Sequence, residues 1–178
     1  EAEKQQVLDT LGLSDTTPEQ ILTNDSWAGA ESNTESDIAI QRVNQQVATI
    51  LATAVSVSDD GDAATENAAS NTTAAALSLI NQVKAVNESN TNASVQVTLD
   101  LADPAVVISA ITATVAAAGQ ETIAAEVLTA IGKVVADVNT AAADVTINPT
   151  SATAIAIAES SQNAIANDVV DVVSGAVS

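Results

Sequence analysis

The sequence predicts an all-α fold, an up-and-down bundle of about five long helices with short N-terminal helices packed over it. It reads as one domain over residues 1–178, with 1–33 as the wrap and 34–178 as the bundle. Three observations carry this. Apolar residues recur every three or four positions, most clearly in GQETIAAEVLTAIGKVVADVNTAAAD at 119–144, where Ile123, Val127, Ile131, Val134 or Val135 and Val138 share one helical stripe. The chain is 47% apolar yet has one Trp and no Phe, Tyr or Met, so Ala, Val, Ile and Leu supply nearly all of that fraction. Ala is the strongest helix former, and slim Ala-lined helices approach closely. Helix start and stop signals punctuate the stretches between stripes.

The N-terminal residues read as short helices. Residues 1–13 end at Gly12, a C-terminal glycine stop. Residues 16–23 start with Thr16 or Thr17 as N-cap and Pro18 in the first turn. Residues 24–32 have Asp25 or Ser26 as cap, with Trp27 pinning that turn to the bundle. The first long helix covers 34–57, with Thr34 and Asp37 as a capping-box variant and Ile40, Val43, Val47, Ile50, Ala54 and Val55 on its face. After the loop at 56–64, a second helix covers 63–86, with Leu77, Ile80 and Val83 or Lys84 marking its face.

Asn87 to Ser94 reads as a polar loop. Val95, Val97, Leu99 and Leu101 then alternate, which predicts an extended approach segment. Asp103 caps a helix that Pro104 opens and that runs through Ala118, with Val107, Ile108, Ile111 and Val115 as its stripe. Gly119-Gln120 breaks it before the 119–144 helix. A linker at 146–151 leads to the last helix, 151–174, where Ile155, Ala158, Gln162, Ile165, Val169 and Val172 keep a heptad-like spacing. Amides near seams, Asn44 or Gln45 and Gln162, are read as register-setting residues.

Charge narrows the partners. Four Lys and Arg stand against 23 acids, a net charge of -19. Nucleic acid and anionic membrane surfaces need basic patches, so neither is an expected partner. No apolar run reaches the ~20 residues of a membrane span, and no membrane insertion is expected. Without Cys there is no disulfide and no thiolate zinc site. A chain lacking Cys, Met, Tyr and His offers oxidants little, and its few basic and aromatic residues offer proteases few sites, which favours an extracellular or cell-surface location. The chain opens on Glu1 rather than Met, the mark of a processed N-terminus or an excised segment.

Asp59, Asp60 and Asp62 around Gly61, with Glu66 beyond, form the candidate calcium site, since calcium takes six to eight oxygens from a flexible loop. Their spacing is not that of an EF-hand, and a solvated loop with Asp62 as N-cap accounts for the same residues. No catalytic residue is expected, because the chain has no His, Cys or Tyr, no Ser–Lys spacing of note and no Gly-rich phosphate loop. Asn24, Asn71, Asn87 and Asn92 each open an N-glycosylation acceptor triplet. The closing DVVDVVSGAVS is too apolar for a free tail, and Val170, Val173 and Val177 mark a candidate interface.

LDTLGLSDTTPEQILTNDSWAGAES at 8–32, followed by IAIQRVNQQVATILATAV at 38–55, resembles the opening of a known group of Ala-rich helical modules. LDLADPAVVISAITATVAAAG at 99–119 looks like that group's Asp-Pro helix, and ATAIAIAESSQNAIANDVVDV at 152–172 is similar to its closing helix. Such modules are embedded in very long secreted proteins of marine and related bacteria, beside haemolysin-type calcium-binding, cadherin-like or dockerin-like repeats. The resemblance implies an adhesin or matrix context and no chemistry, and it assigns a role to no residue. Together these readings point to a non-enzymatic spacer module whose partners are other domains of the same long chain or copies of itself. A self-assembling filament or coat subunit, and a ligand-binding or carboxylate-based hydrolytic domain, are the alternatives.

Overall fold

In a computed structural model of the chain, residues 2–23, 35–58, 66–90, 97–120 and 122–144 are described, the side chains of 66–69 and 144 excepted. Every regular element among them is a helix: α1 (Ala2–Thr10), α2 (Pro18–Thr23), α3 (Glu35–Val57), α4 (Glu66–Asn90), α5 (Pro104–Ala117) and α6 (Ala125–Asp144). Four of these are long; the fifth long helix expected, at 151–174, lies outside the described residues, as do the 24–32 turn and Trp27.

The punctuation acts where the residues place it. Leu13 N–H donates to Leu8 O at 2.8 Å and Gly12 N–H to Asp9 O at 3.1 Å, the paired bonds of a Schellman stop, with Gly12 at φ +74°. The same pair closes α5: Gln120 N–H to Val115 O and Gly119 N–H to Ala116 O, both 3.2 Å, with Gly119 at φ +69°. At the start of α2, Thr17 and Gln20 form a reciprocal capping box, Thr17 N–H donating to Gln20 Oε1 and Gln20 N–H to Thr17 Oγ1. Asp103 Oδ1 accepts from Ala105 N–H at 2.8 Å, and Pro104 fills the next position, where its missing N–H costs nothing.

Helix α5 sits at the centre: it packs on α3, α4 and α6, while α3 also meets α4 and α6. Val107, Ala110, Ile111 and Thr114 of α5 are fully buried, and so are Ile50 and Ala54 of α3, Ala75 of α4 and Val135 of α6. Each buried Val or Ile contributes about 1.5–3 kcal/mol, so the core among the described residues, which include no aromatic, is the sum of many moderate terms. Buried threonines fit because their hydroxyls bond within the helix: Thr53 to Thr49 O and Thr114 to Ala110 O, both at 2.8 Å. Between α5 and α6 the approach is close. A β-carbon on Gly132 would lie 2.7 Å from Ile108 Cγ1 and 3.2 Å from Pro104 O. Around this centre, α1 packs on α4 and α2 on α1.

Several expectations are corrected. Leu77 and Ile80 do not mark the buried face of α4; they are 53% and 58% exposed. The buried face is Asn71, Ala75, Ser78, Leu79 and Val83, where small residues let α5 come near and the bulkier Leu77 and Ile80 fall on either side of the seam. Helix α4 also runs on to Asn90, four residues beyond its expected end, and α6 begins at Ala125 rather than near 120. Of the two candidates on α6, Val135 is the buried one and Val134 is exposed. Residues 97–100 are non-helical, as the alternation predicts, but burial grades from exposed Val97 through half-buried Leu99 to buried Leu101.

Candidate functional site

Several of the amide side chains that this core buries bond to backbone groups. Gln46 of α3 and Asn139 of α6 face each other across a seam. Gln46 Nε2 donates to Asn139 O at 3.1 Å, while Asn139 Nδ2 donates to Leu101 O at 2.7 Å and reaches Gln46 O at 3.5 Å. Asn44, expected near this seam, is exposed; Gln46 holds the position because 40, 43, 46, 50 and 54 keep one helical face inward. At the other end of α3, Ser58 O accepts from Gln120 Nε2 at 2.6 Å and from Asn71 Nδ2 at 3.5 Å. That one carbonyl joins the ends of α3, α4 and α5. Gln82 of α4 reaches Val106 O at 3.4 Å.

A second set of ties fixes α1. The Thr10 hydroxyl donates to Asn87 Oδ1, and Leu99 N–H donates to Thr10 O at 2.7 Å. Asn90 then acts as a substitute backbone: its Nδ2 donates to Val97 O at 2.7 Å and its Oδ1 accepts from Val97 N–H at 2.8 Å, closing the loop between them. These bonds explain why 87–90 stay helical although the sequence there reads as a polar loop. Two of the glycosylation triplets are involved in this packing. Asn71 is buried and bonded to the Ser58 carbonyl, and Asn87 is half-buried and bonded to Thr10.

Between α1, α3 and α4 lies an open groove of about 670 Å³. Its walls are Val7 and Leu11 of α1, Leu51 of α3, Leu79 and Ile80 of α4, and Leu99 of the approach segment. Glu3, Gln6, Lys84, Asn87 and Glu88 form the rim, where Lys84 Nζ stands 3.8 Å from Glu88 on exposed side chains. A shallower hollow of about 460 Å³ runs on the other side of α4, against Ser109 and Ala113 of α5, with Leu77 in its wall. The groove has apolar walls and few polar groups directed inward, so what it can do is bury an apolar surface.

Asp59, Asp60 and Asp62 lie outside the described residues; Glu66 opens α4, and its side chain is likewise outside them. Among the described residues no three metal-ligating side chains converge. Val170, Val173 and Val177 are outside the described residues too. No helix among the described residues is long and apolar enough to cross a membrane. The sequence missed Gly132 and the groove itself. A lone Gly in the 125–144 stripe was the available signal for the first; nothing local could announce the second. Protein-family models, curated proteins and solved structures were all compared with the chain, and none matches.

Proposed function

We propose that the chain is a non-enzymatic structural or spacer module of a large extracellular bacterial surface or adhesin-type protein, an up-and-down bundle of about five long helices in one domain over 1–178. One observation carries this reading most. The buried amides Gln46, Asn71 and Asn139, and the half-buried Gln82 and Gln120, are engaged with backbone carbonyls of other elements. Polar chemistry spent on holding helices together suits a load-bearing unit rather than a reactive centre. The resemblance of 8–55, 99–119 and 152–172 to adhesin-embedded modules supports the same context, with neighbouring domains or further copies as partners. Calcium at Asp59, Asp60, Asp62 and Glu66 would brace the loop before α4 in such a setting.

Surface labelling of intact source cells with an antibody to the chain tests the location; signal only after lysis overturns it. Calcium is tested by thermal unfolding at constant ionic strength. A larger stabilisation by calcium than by magnesium supports the site, and equal stabilisation removes it. A second reading, a self-assembling filament or coat subunit, is favoured by exposed Leu22, Leu77, Ile80 and Val97 together with Val170, Val173 and Val177. Sedimentation across a hundredfold concentration range separates the two. A constant monomer supports the spacer. Growing assemblies that Val170→Asp with Val173→Asp abolishes, helix content being kept, support the filament.

A further inference from the structure

We propose that the groove between α1, α3 and α4 is a docking site for a cationic amphipathic helix of another protein, a segment that lays an apolar stripe between Val7 and Ile80 and carries Lys or Arg beside it. The proposal does not depend on the functional reading above. It starts from the build of the groove. Leu79, Val83 and Leu101 form a buried floor, while the lips Val7 and Ile80 are 40% and 58% exposed. On α4 the lining residues Ala76, Leu79, Ile80, Val83 and Asn87 keep the spacing of one helical face. From Ala76 to Glu88 that face is about 18 Å long, or some three turns.

The mode of recognition follows from what the walls lack. Among the described residues no strand offers an edge for an added strand, and no aromatic ring lines a track for a proline-rich segment. An apolar trough between helices suits the remaining mode, a helix whose residues at i, i+3, i+4 and i+7 fill it. Charge then selects the helix. Glu3 on α1 and Glu88 on α4 stand on the rim against one base, Lys84, which lies 3.8 Å from Glu88. Gln6 and Asn87, the other polar residues of the rim, are uncharged. Behind this rim stands a chain with 23 acids and four bases, a net charge of -19. A basic segment is drawn to that field, while an acidic one, or a second copy of this chain, is repelled. The apolar stripe supplies most of the affinity; charge supplies the choice of partner and the rate of encounter.

The test uses the full chain and three labelled synthetic peptides of about 14 residues, or four turns. One has a Leu stripe with Lys elsewhere, the second the same stripe with Glu for Lys, and the third the basic composition scrambled so that no stripe survives. Anisotropy is read at about 20 mM and about 300 mM NaCl, either side of the range where rim charges become screened. The striped basic peptide is expected to bind about tenfold more tightly than either control at low salt, and to lose most of its lead over the acidic one at high salt. Ile80→Gln should weaken it about tenfold, whereas Leu77→Gln, on the other side of α4 and 53% exposed, should leave it unchanged. Since the two positions are similarly exposed, the pair separates loss of the groove from loss of fold. Glu3→Gln with Glu88→Gln should weaken binding several-fold at low salt and little at high salt. Equal binding of the scrambled peptide overturns the proposal in favour of a diffuse attraction, and equal binding of the acidic peptide at low salt overturns the cationic occupant. An unchanged affinity in Ile80→Gln removes the groove as the site. Binding by none of the peptides overturns the proposal as well: in favour of a second copy if sedimentation shows dimers that Ile80→Gln abolishes, and of a groove closed within the chain if it shows a monomer.

Discussion

Across the seam of α5 and α6 a β-carbon on Gly132 would lie 2.7 Å from Ile108 Cγ1, whereas between α1 and α4 there is a groove of about 670 Å³. Both regions are built from the same few residue types. What differs is where the bulk stands. On the closed side a glycine receives an isoleucine, and Val107 and Ile111 of α5 and Ile131 and Val135 of α6 are buried. On the open side Ile80, a wall residue of the groove, is 58% exposed. With so few side-chain shapes available, the backbone spacing of each seam decides whether a face is finished. Where the described residues carry no ring, glycine and alanine set the distances.

Substitutions should separate the two sides. Gly132→Leu is expected to do the most damage, since no rotamer avoids Ile108 and the Pro104 carbonyl. Despite the better helix propensity of Leu, a loss of about 3 kcal/mol is expected in urea unfolding followed by circular dichroism. A loss under about 1 kcal/mol would mean that α6 can slide and that the seam is not closed. Asn139→Leu comes next. It strands the Leu101 carbonyl and removes the Nδ2 contact to the Gln46 carbonyl, at about 2 kcal/mol, partly offset because Asn139 Oδ1 is already buried without a partner; the Gln46 side chain keeps its bond to the backbone carbonyl of residue 139. Gly119→Ala should cost about 1 kcal/mol, because φ +69° sets the Cβ against the carbonyl even though the space around it is open.

The smallest effect belongs outside both regions, on the other side of α4. Leu77→Ala, at a position 53% exposed, should fall within about 0.5 kcal/mol of wild type. Ile80→Ala sharpens the comparison, because its exposure is nearly the same as that of Leu77. An equally small cost would leave the groove open in solution. A cost clearly above that of Leu77→Ala would mean that something covers it.

Local signals were legible wherever backbone chemistry decides them. Gly12, Pro18, Asp103, Pro104 and Gly119 perform the roles their residue types announce, because a positive φ or a missing N–H restricts the chain whatever packs around it. The stripes of α3 and α5 were legible for the same reason, as a 3.6-residue period does not depend on the neighbour. The buried face of α4 was not. In SNTTAAALSLINQVK the large residues Leu77 and Ile80 suggest one face, yet α5 selects the face carrying Ala75 and Ser78. Hydrophobicity marks what wants to be buried; steric fit at α5 decided what was. The Gln46–Asn139 pair is 93 residues apart in sequence, beyond any local pattern. For the calcium loop and the closing valines, the described residues add nothing to what composition suggests.

The ties of α1 also carry a consequence for the order of assembly. Its hydroxyl bond joins Thr10 to Asn87, 77 residues away, and its other anchor is the Leu99 amide. Closing a loop of that length before α4 exists has no reward, so α1 can seat only after α3, α4 and the approach segment have met. An element that arrives last and rests chiefly on one neighbour is also the first to leave. We therefore expect α1 amides to exchange through a local opening much cheaper than global unfolding. Co-exchange of Val7 and Leu8 with Val107 and Ile111 would show instead that α1 belongs to the same cooperative unit as the centre. If the opening is local, one wall of the groove is a hinge, and its width is set by a single helix turn around Thr10.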